Sequence, residues 1–335
     1  MNGHFWKVIV VSFWALRMSC SIFAQETEPA ASPAPMAAFE RMMTGDWRMT
    51  MQSGHSQYET WSWGPGQHSA RRQTEGFGAA GEPWRALNVV YWHPGLNEIR
   101  LLGLSPFAQG VSEGVMSFDG DTADATLDLY QTMGRREMRR QWKFDGPDKY
   151  LMTLWEGTAI SVLEPLGTWE YIRSERLVEK ESVGDGETPK LSDHFQAFES
   201  LLGKTWEAKG ERANGNPLHV RSTFEWTPYA DYIYSRTVAL DEERTHLLDT
   251  YIYRHTKDDT LRCLALSERG VVHEGTISVL EDGALQFDLT RYGGDKTVAQ
   301  AVRLDLEKDG VLRQRVWGLE NDQRALMIDI EFEKR

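Results

Sequence analysis

From Trp47, and again from Trp206, apolar and polar positions alternate with a period of two. In the second stretch Trp206, Ala208 and Gly210 share one side while Glu207, Lys209 and Glu211 share the other. In the first stretch the matching side reads Trp47, Met49 and Met51. A period of two places successive side chains on opposite faces of a strand, so each stretch predicts a strand with one face turned to a core. The same alternation continues downstream, broken by turn signals such as His-Pro-Gly at 93–95, Asp-Gly-Asp at 119–121, Glu-Asp-Gly at 281–283 and Lys-Asp-Gly at 308–310. Short strands with turns at this spacing predict eight to ten antiparallel strands per stretch, arranged as a barrel or sandwich. A strip of that many strands keeps two open edges unless it closes, which favours the barrel.

The two stretches are copies of one another. Phe39-Glu-Arg-Met-Met-Thr-Gly-Asp-Trp47 returns as Phe198-Glu-Ser-Leu-Leu-Gly-Lys-Thr-Trp206, each with a Gly just upstream of the Trp. Thr60-Trp-Ser-Trp-Gly-Pro65 returns as Thr223-Phe-Glu-Trp-Thr-Pro228, and Ser112-Glu-Gly-Val-Met-Ser117 as His273-Glu-Gly-Thr-Ile-Ser278. The order of the matched segments is kept throughout. Before each Trp a short helical or turn-like segment, Met36–Met43 and His194–Leu202, carries apolar residues at helical spacing and is expected to plug one barrel end. The fold expected is all-β: two tandem up-and-down antiparallel β-barrels, each with a short N-terminal helix, over residues 36–177 and 194–335. Residues 178–193, with Gly184-Asp-Gly-Glu-Thr-Pro189 at their centre, read as the linker, and proteolysis there is expected to release two folded halves.

The N-terminus adds a targeting segment. One Lys precedes an apolar run from Val8 to Leu16, interrupted only by Ser12 and followed by Ser-Cys-Ser-Ile-Phe-Ala24. Residues 1–24 are therefore expected to be a signal peptide, and the run is too short for a membrane span of about 20 apolar residues. Export to the periplasm or the outside follows. Residues 25–35, biased to Ala, Pro and Ser, read as a disordered tether. Removal of the leader takes Cys20 with it and leaves Cys263 as the single thiol, in an apolar strand pattern that suits a small buried side chain.

Composition narrows the partners. A hydrophobic fraction of 41% with 13 Trp, 13 Phe and 11 Tyr excludes a disordered chain. The formal charge of -13 argues against a nucleic-acid partner, which needs Lys and Arg in excess.

With these residues in view, each repeat resembles a lipocalin-like, or calycin, barrel: a short helix, Gly-Asp-Trp47 similar to the Gly-x-Trp opening motif, then an up-and-down strand series. The texture is similar to bacterial secreted proteins with lipocalin-like domains, and next to nitrobindin-like barrels. The second copy departs by one residue, with Gly203-Lys-Thr-Trp206. The nitrobindin resemblance would imply haem held by a His near the C-terminal strands, but Gly167–Leu177 and Arg324–Arg335 contain no His. No cofactor is expected.

The resemblance and the Trp-rich interior point to a small hydrophobic or amphipathic ligand held against aromatic walls. The first barrel is the expected holder, through Met49, Met51, Trp61, Trp63 and Trp92, with Phe224 and Trp226 in the equivalent part of the second. Glu113-Gly114 and Glu274-Gly275 recur at the same place. The Glu is a candidate inward-facing ligand anchor, and the Gly a place for a bulge or close backbone approach. His246, His255 and His273 fit no metal-ligand spacing, and no nucleophile elbow, phosphate loop or catalytic triad order stands out. Two other readings compete with the binder. An interaction module predicts filled barrels and an exposed aromatic patch or a large contact between repeats, and an isomerase- or cyclase-type enzyme predicts a buried Glu or His with a shifted pKa facing a cavity.

Overall fold

The structure, a computed structural model, describes residues 34–43, 45–50, 56–77, 83–105, 110–132, 134–157, 164–174, 191–211, 217–227, 232–240, 244–294, 297–307, 310–320 and 323–335. The expected leader, nearly all of the tether, most of the linker and Met51 lie outside these residues. Two short helices, α1 (Ala34–Ala37) and α2 (Glu40–Met43), lead into ten strands. They are β1 (Asp46–Thr50), β2 (Ser56–Trp63), β3 (Ser69–Phe77), β4 (Pro83–His93), β5 (Glu98–Ser105), β6 (Gly110–Asp119), β7 (Thr122–Gln131), β8 (Gly134–Phe144), β9 (Lys149–Gly157) and β10 (Glu164–Ser174). A 3-10 helix over Asp193–Phe198 then leads into β11 (Thr205–Glu211), β12 (Pro217–Thr227), β13 (Tyr232–Ala239), β14 (His246–His255), β15 (Thr260–Ser267), β16 (Val272–Val279), β17 (Leu285–Tyr292), β18 (Val298–Leu306), β19 (Leu312–Glu320) and β20 (Gln323–Lys334). Each set of ten closes on itself as an antiparallel up-and-down barrel.

Closure explains the opening motif. Trp47 pairs with Arg173 of β10, and Trp206 with Lys334 of β20, so each Trp sits where the first strand meets the last. Both indoles are buried and donate back to the preceding turn, Trp47 to the Met42 carbonyl at 3.2 Å and Trp206 to the Leu201 carbonyl at 3.4 Å. Phe39 meets Phe118 edge-on at 4.8 Å, and Phe195 meets Trp226 at 5.1 Å. The helical segments thus cap one end of each barrel with aromatic rings, burying large apolar area where a closed sheet would otherwise leave its lumen open to water.

The two barrels pack back to back. On β4, β5 and β6 the outward residues Leu87, Val89, Tyr91, Leu102, Leu104 and Val111 form one cluster with Tyr232, Tyr234, Tyr251, Tyr253, Leu264, Leu266 and Val272 of β13 to β16. These strands are apolar on both faces, one towards the lumen and one towards the other barrel. Polar contacts at the seam repeat with two-fold logic. Tyr91 donates to Glu274 at 2.5 Å, and Tyr253 donates to Glu113 at 3.2 Å. His93 lies 3.5 Å from Glu274, and His255 lies 3.6 Å from Glu113. Both imidazoles accept a backbone N–H on Nδ1, from Leu96 and Lys257, and turn Nε2 towards the carboxylate. Tyr91 and Tyr253, His93 and His255, and Glu113 and Glu274 are equivalent positions of the two repeats, so the seam has the self-complementary character of a symmetric dimer.

Two further contacts lock it. Arg71 of the first barrel lies 4.2 Å over the Tyr234 ring of the second. Gly66, at φ +59°, brings the turn between β2 and β3 against the second barrel, where a Cβ would stand 1.8 Å from the Glu268 carbonyl oxygen.

A chain cut between Gly184 and Pro189 is accordingly expected to stay associated at pH 7, and not to release separate halves. Burial alone would raise Glu113 and Glu274, but the His and Tyr donors, with Arg262 and Arg100, hold both carboxyls below the ordinary 4.5. Their contribution is present above that value and is lost as pH falls through the lowered native pKa. Size-exclusion chromatography of nicked protein should show a peak at the volume of the intact chain at neutral pH and a later peak at the volume of separated halves once both carboxyls are protonated. Leu264→Ala should cost about 2–5 kcal/mol in urea unfolding, and a neutral outcome would mean that the seam does not stabilise the fold.

Candidate functional site in the second barrel

The equivalent inner positions of the two barrels are occupied very differently. In the first, β2 directs Gln57, Glu59 and Trp61 inward, β3 adds Arg72, β8 adds Arg140 and Trp142, and Tyr150 and Tyr171 stack at 4.8 Å. Tyr150 donates to Glu59 at 2.7 Å and Gln57 donates to Tyr171 at 2.6 Å. The cross-strand register matches Glu59 to Ser222, Arg72 to Ser235, Trp142 to Leu304, and Tyr150 and Tyr171 to Leu312 and Phe332. Each exchange replaces a large side chain by a smaller one.

The consequence is a cavity of about 1430 Å³ in the second barrel. Its apolar wall includes Val220, Phe224, Ile252, Cys263, Ala265 and Phe287. Hydroxyls of Ser222, Ser235, Thr237 and Thr250 run across it, with His273, Arg291 and Gln300 on a further side. Ser222 and Thr237 hydrogen-bond to each other at 2.8 Å. His273 Nδ1 lies 3.0 Å from the Gln300 amide oxygen. Burial, with Arg291 adding to it against the Gln300 hydrogen bond, lowers the His273 pKa to about 4, so the ring is neutral at pH 7. Burial likewise pushes the Cys263 thiol up to about 12, which makes it an inert part of the wall.

Access is lateral. Pairing of β11 with β20 is confined to Trp206↔Lys334 and Glu207↔Glu333, and beyond it Lys209 and Gly210 on one side and Leu326–Glu331 on the other border the cavity. The paired part is clasped by Glu207, which accepts from Arg221 at 2.6 Å and from Arg335 at 3.1 Å, with His219 at 3.4 Å. The Arg221 hydrogen bond, opposed by burial and helped by Arg335 and His219, holds Glu207 down to about 2.

The expected site residues fall in three places. Met49 and Trp61 are buried in the first barrel's core, and Trp63 and Trp92 are half-buried against the same cluster. Phe224 lines the cavity of the second barrel, whereas Trp226 packs on Phe195 at its capped end. Glu113 and Glu274 point outward into the seam and not inward as ligand anchors, because the neighbouring Gly114 and Gly275 occupy the inner positions. Those glycines permit close backbone approach without a bulge: a Cβ at either would lie 2.0 Å from the carbonyl oxygen of Thr126 or Asp288. His246, His255 and His273 are held apart, on Asp249, Glu113 and Gln300 respectively. The sequence reasoning missed Ser222, Ser235, Thr250 and Ala265. The signal at Ser222, Ser235 and Thr250 is small size at inner positions where the first repeat has Glu59, Arg72 and Asn88, whereas Ala265 stands where the first repeat has Gly103.

The fold and site together define a tandem pair of closed ten-stranded antiparallel barrels, one of which encloses a large lumen. No family model matches the chain, and no curated protein matches it. Among solved structures, a protein of unknown function of the DUF3598 family from Nostoc punctiforme is similar at 9% identity, over 90% of this chain and 98% of that one, with a TM-score of 0.19. A likeness at that score carries no argument about fold or function. Among the described residues, no helix is long and apolar enough to cross a membrane.

The neutral His273 sets a pH dependence. The unfolded chain takes up a proton near 6.5 while the native ring stays neutral to about 4. Stability should therefore fall as pH drops from 6.5 towards 4, by at most about 3 kcal/mol, and flatten below. His273→Gln should remove that slope in urea unfolding measured across the range, and an unchanged slope would show that the ring is not held neutral.

Proposed function

We propose that the protein is an exported binder of a small hydrophobic or amphipathic molecule, held in the lumen of the second barrel. The observation that carries the reading is the cavity of about 1430 Å³, above the roughly 300–1,000 Å³ of ordinary small-molecule pockets because it runs out to the surface beside β20. Apolar walls would supply the affinity, and the Ser and Thr hydroxyls with neutral His273 and Gln300 would orient a ligand's polar atoms. The lipocalin-like resemblance of the opening motif and strand series supports the same reading, and the apolar run from Val8 to Leu16 supports export. The expectation that the first barrel is the holder moves to the second, where the smaller inner side chains are.

The large contact between repeats is a feature of the interaction-module reading, but an open lumen in one barrel is not. His273 meets the enzyme reading's requirement of a shifted group facing a cavity. A pKa near 4 makes it a weak base at neutral pH, since a general base works best when its pKa lies near the operating pH. Hydrogen bonding to a bound molecule suits it better.

Thr250→Trp, which places an indole into the lumen, should abolish binding of octan-1-ol by the second barrel while the variant melts like the parent. Isothermal titration of the exported protein, with intact mass used to confirm cleavage after Ala24, gives the readout. Unaltered octan-1-ol binding in a folded Thr250→Trp would contradict the assignment.

A further inference from the structure

Among the described residues, the first barrel's interior carries more positive charge and more donors than its own residues answer. Arg72 and Arg140 both point inward, and the carboxylate that faces them is Glu59, with Arg72 Nη1 3.7 Å from Glu59 Oε1. Arg140 donates to the amide oxygen of buried Asn88 at 2.9 Å, and among the described residues no carboxylate lies within 4.0 Å of it. Among the described residues, two guanidinium groups thus share one carboxylate. An unpaired charge inside a barrel is costly, and the cost falls when an opposite charge joins it.

The hydrogen-bond inventory leans the same way. Among the described residues, Arg72 Nε, Trp61 Nε1 and Trp142 Nε1 are buried donors with no acceptor, against the unanswered acceptor Glu59 Oε1 and the Thr74 hydroxyl, which can serve either way. Arg72 is itself 6% exposed and is flanked by the Trp61 and Trp142 rings, each 5.9 Å from its guanidinium carbon. Arg140 lies between Met138 and Trp142 on the inner face, yet it is only half-buried, as are its cross-strand partner Leu154 and the inward Trp169. Arg140, Leu154 and Trp169 thus keep accessible surface at inner positions of the barrel. Desolvation, with the neighbouring Arg72 adding to it, lowers the Arg140 pKa to about 10, consistent with a cation short of a counter-charge.

We propose that the lumen of the first barrel is a second, separate binding site that takes the anionic head group of a small organic carboxylate at Arg140 and Arg72. One surplus positive charge matches a monoanion such as a carboxylate better than a doubly charged phosphate. A planar carboxylate also fits the guanidinium fork. This site does not depend on the reading of the second barrel, since none of its residues borders that cavity.

The test uses the full chain with octanoate and octan-1-ol as probes in isothermal titration. Octanoate should bind about tenfold or more tightly than octan-1-ol through the charge-assisted contacts. Arg140→Met should lose that preference while its octan-1-ol binding stays as in the parent. Thr250→Trp should lose octan-1-ol and keep octanoate, which separates failure of this proposal from failure of the second-barrel assignment. Equal octanoate affinity in Arg140→Met and the parent, or loss of octanoate in Thr250→Trp, would overturn it. If Arg140→Met does not fold, carboxyl-13C octanoate bound to the parent decides the matter. Its resonance should stay ionised well below the pH at which the free acid titrates, and titration alongside the free acid would overturn the proposal.

Discussion

The contact on which the rest of the molecule depends is the seam in which each barrel's outer face becomes part of the other's core. A closed barrel normally shows its outer face to water, and a strand that faces water on one side alternates apolar with polar residues. Here β4 and β14 break that rule, with Leu87, Val89 and Tyr91 outward in one and Tyr251 and Tyr253 outward in the other. Exposed singly, either face would be an association hazard. Joined, they bury one another, and the Glu113 and Glu274 carboxylates are each held by the other repeat's Tyr and His. The cross-wise pattern makes each repeat incomplete without its copy.

With the outer faces fixed by the seam and the ends fixed by the opening Trp and its helical cap, the lumens are the part of the fold that can differ. The first is occupied by Glu59, Arg72, Tyr150, Tyr171 and Trp142, bound to one another or stacked. At equivalent positions the second has Ser222, Ser235, Leu312, Phe332 and Leu304, and the volume so released is the cavity. Two repeats with one topology thus present two chemistries: a charged interior rich in donors and an apolar one crossed by hydroxyls.

Much of the architecture is legible in the chain. The period-two alternation, the hairpin turns and the duplicated Gly and Trp identify two antiparallel barrels with capped ends. The seam is signalled less openly, by the continuous apolar runs Val89–Trp92 and Cys263–Leu266, because burial on both faces erases alternation and looks like an ordinary core strand. The functional barrel is harder still. Tryptophan content draws attention to the first repeat, yet buried tryptophans there fill space, and a lumen is made by what is small. Ser222, Ser235, Thr250 and Ala265 carry no motif and become informative only once the register shows that they share one inner face. The parity of Glu113 and Glu274 is likewise a register property: Gly114 opposes Leu127 and Gly275 opposes Leu289 on the inside, which turns the glutamates out.

Diffraction from crystals held under xenon pressure tests the asymmetry of the two lumens most directly, because xenon enters apolar space and avoids charged, hydrogen-bonded interiors. Xenon is expected in the second barrel against Phe224, Ile252 and Phe287, and none beside Glu59 and Arg72 in the first. A second barrel without xenon, its lumen closed by repacked side chains, would contradict that asymmetry.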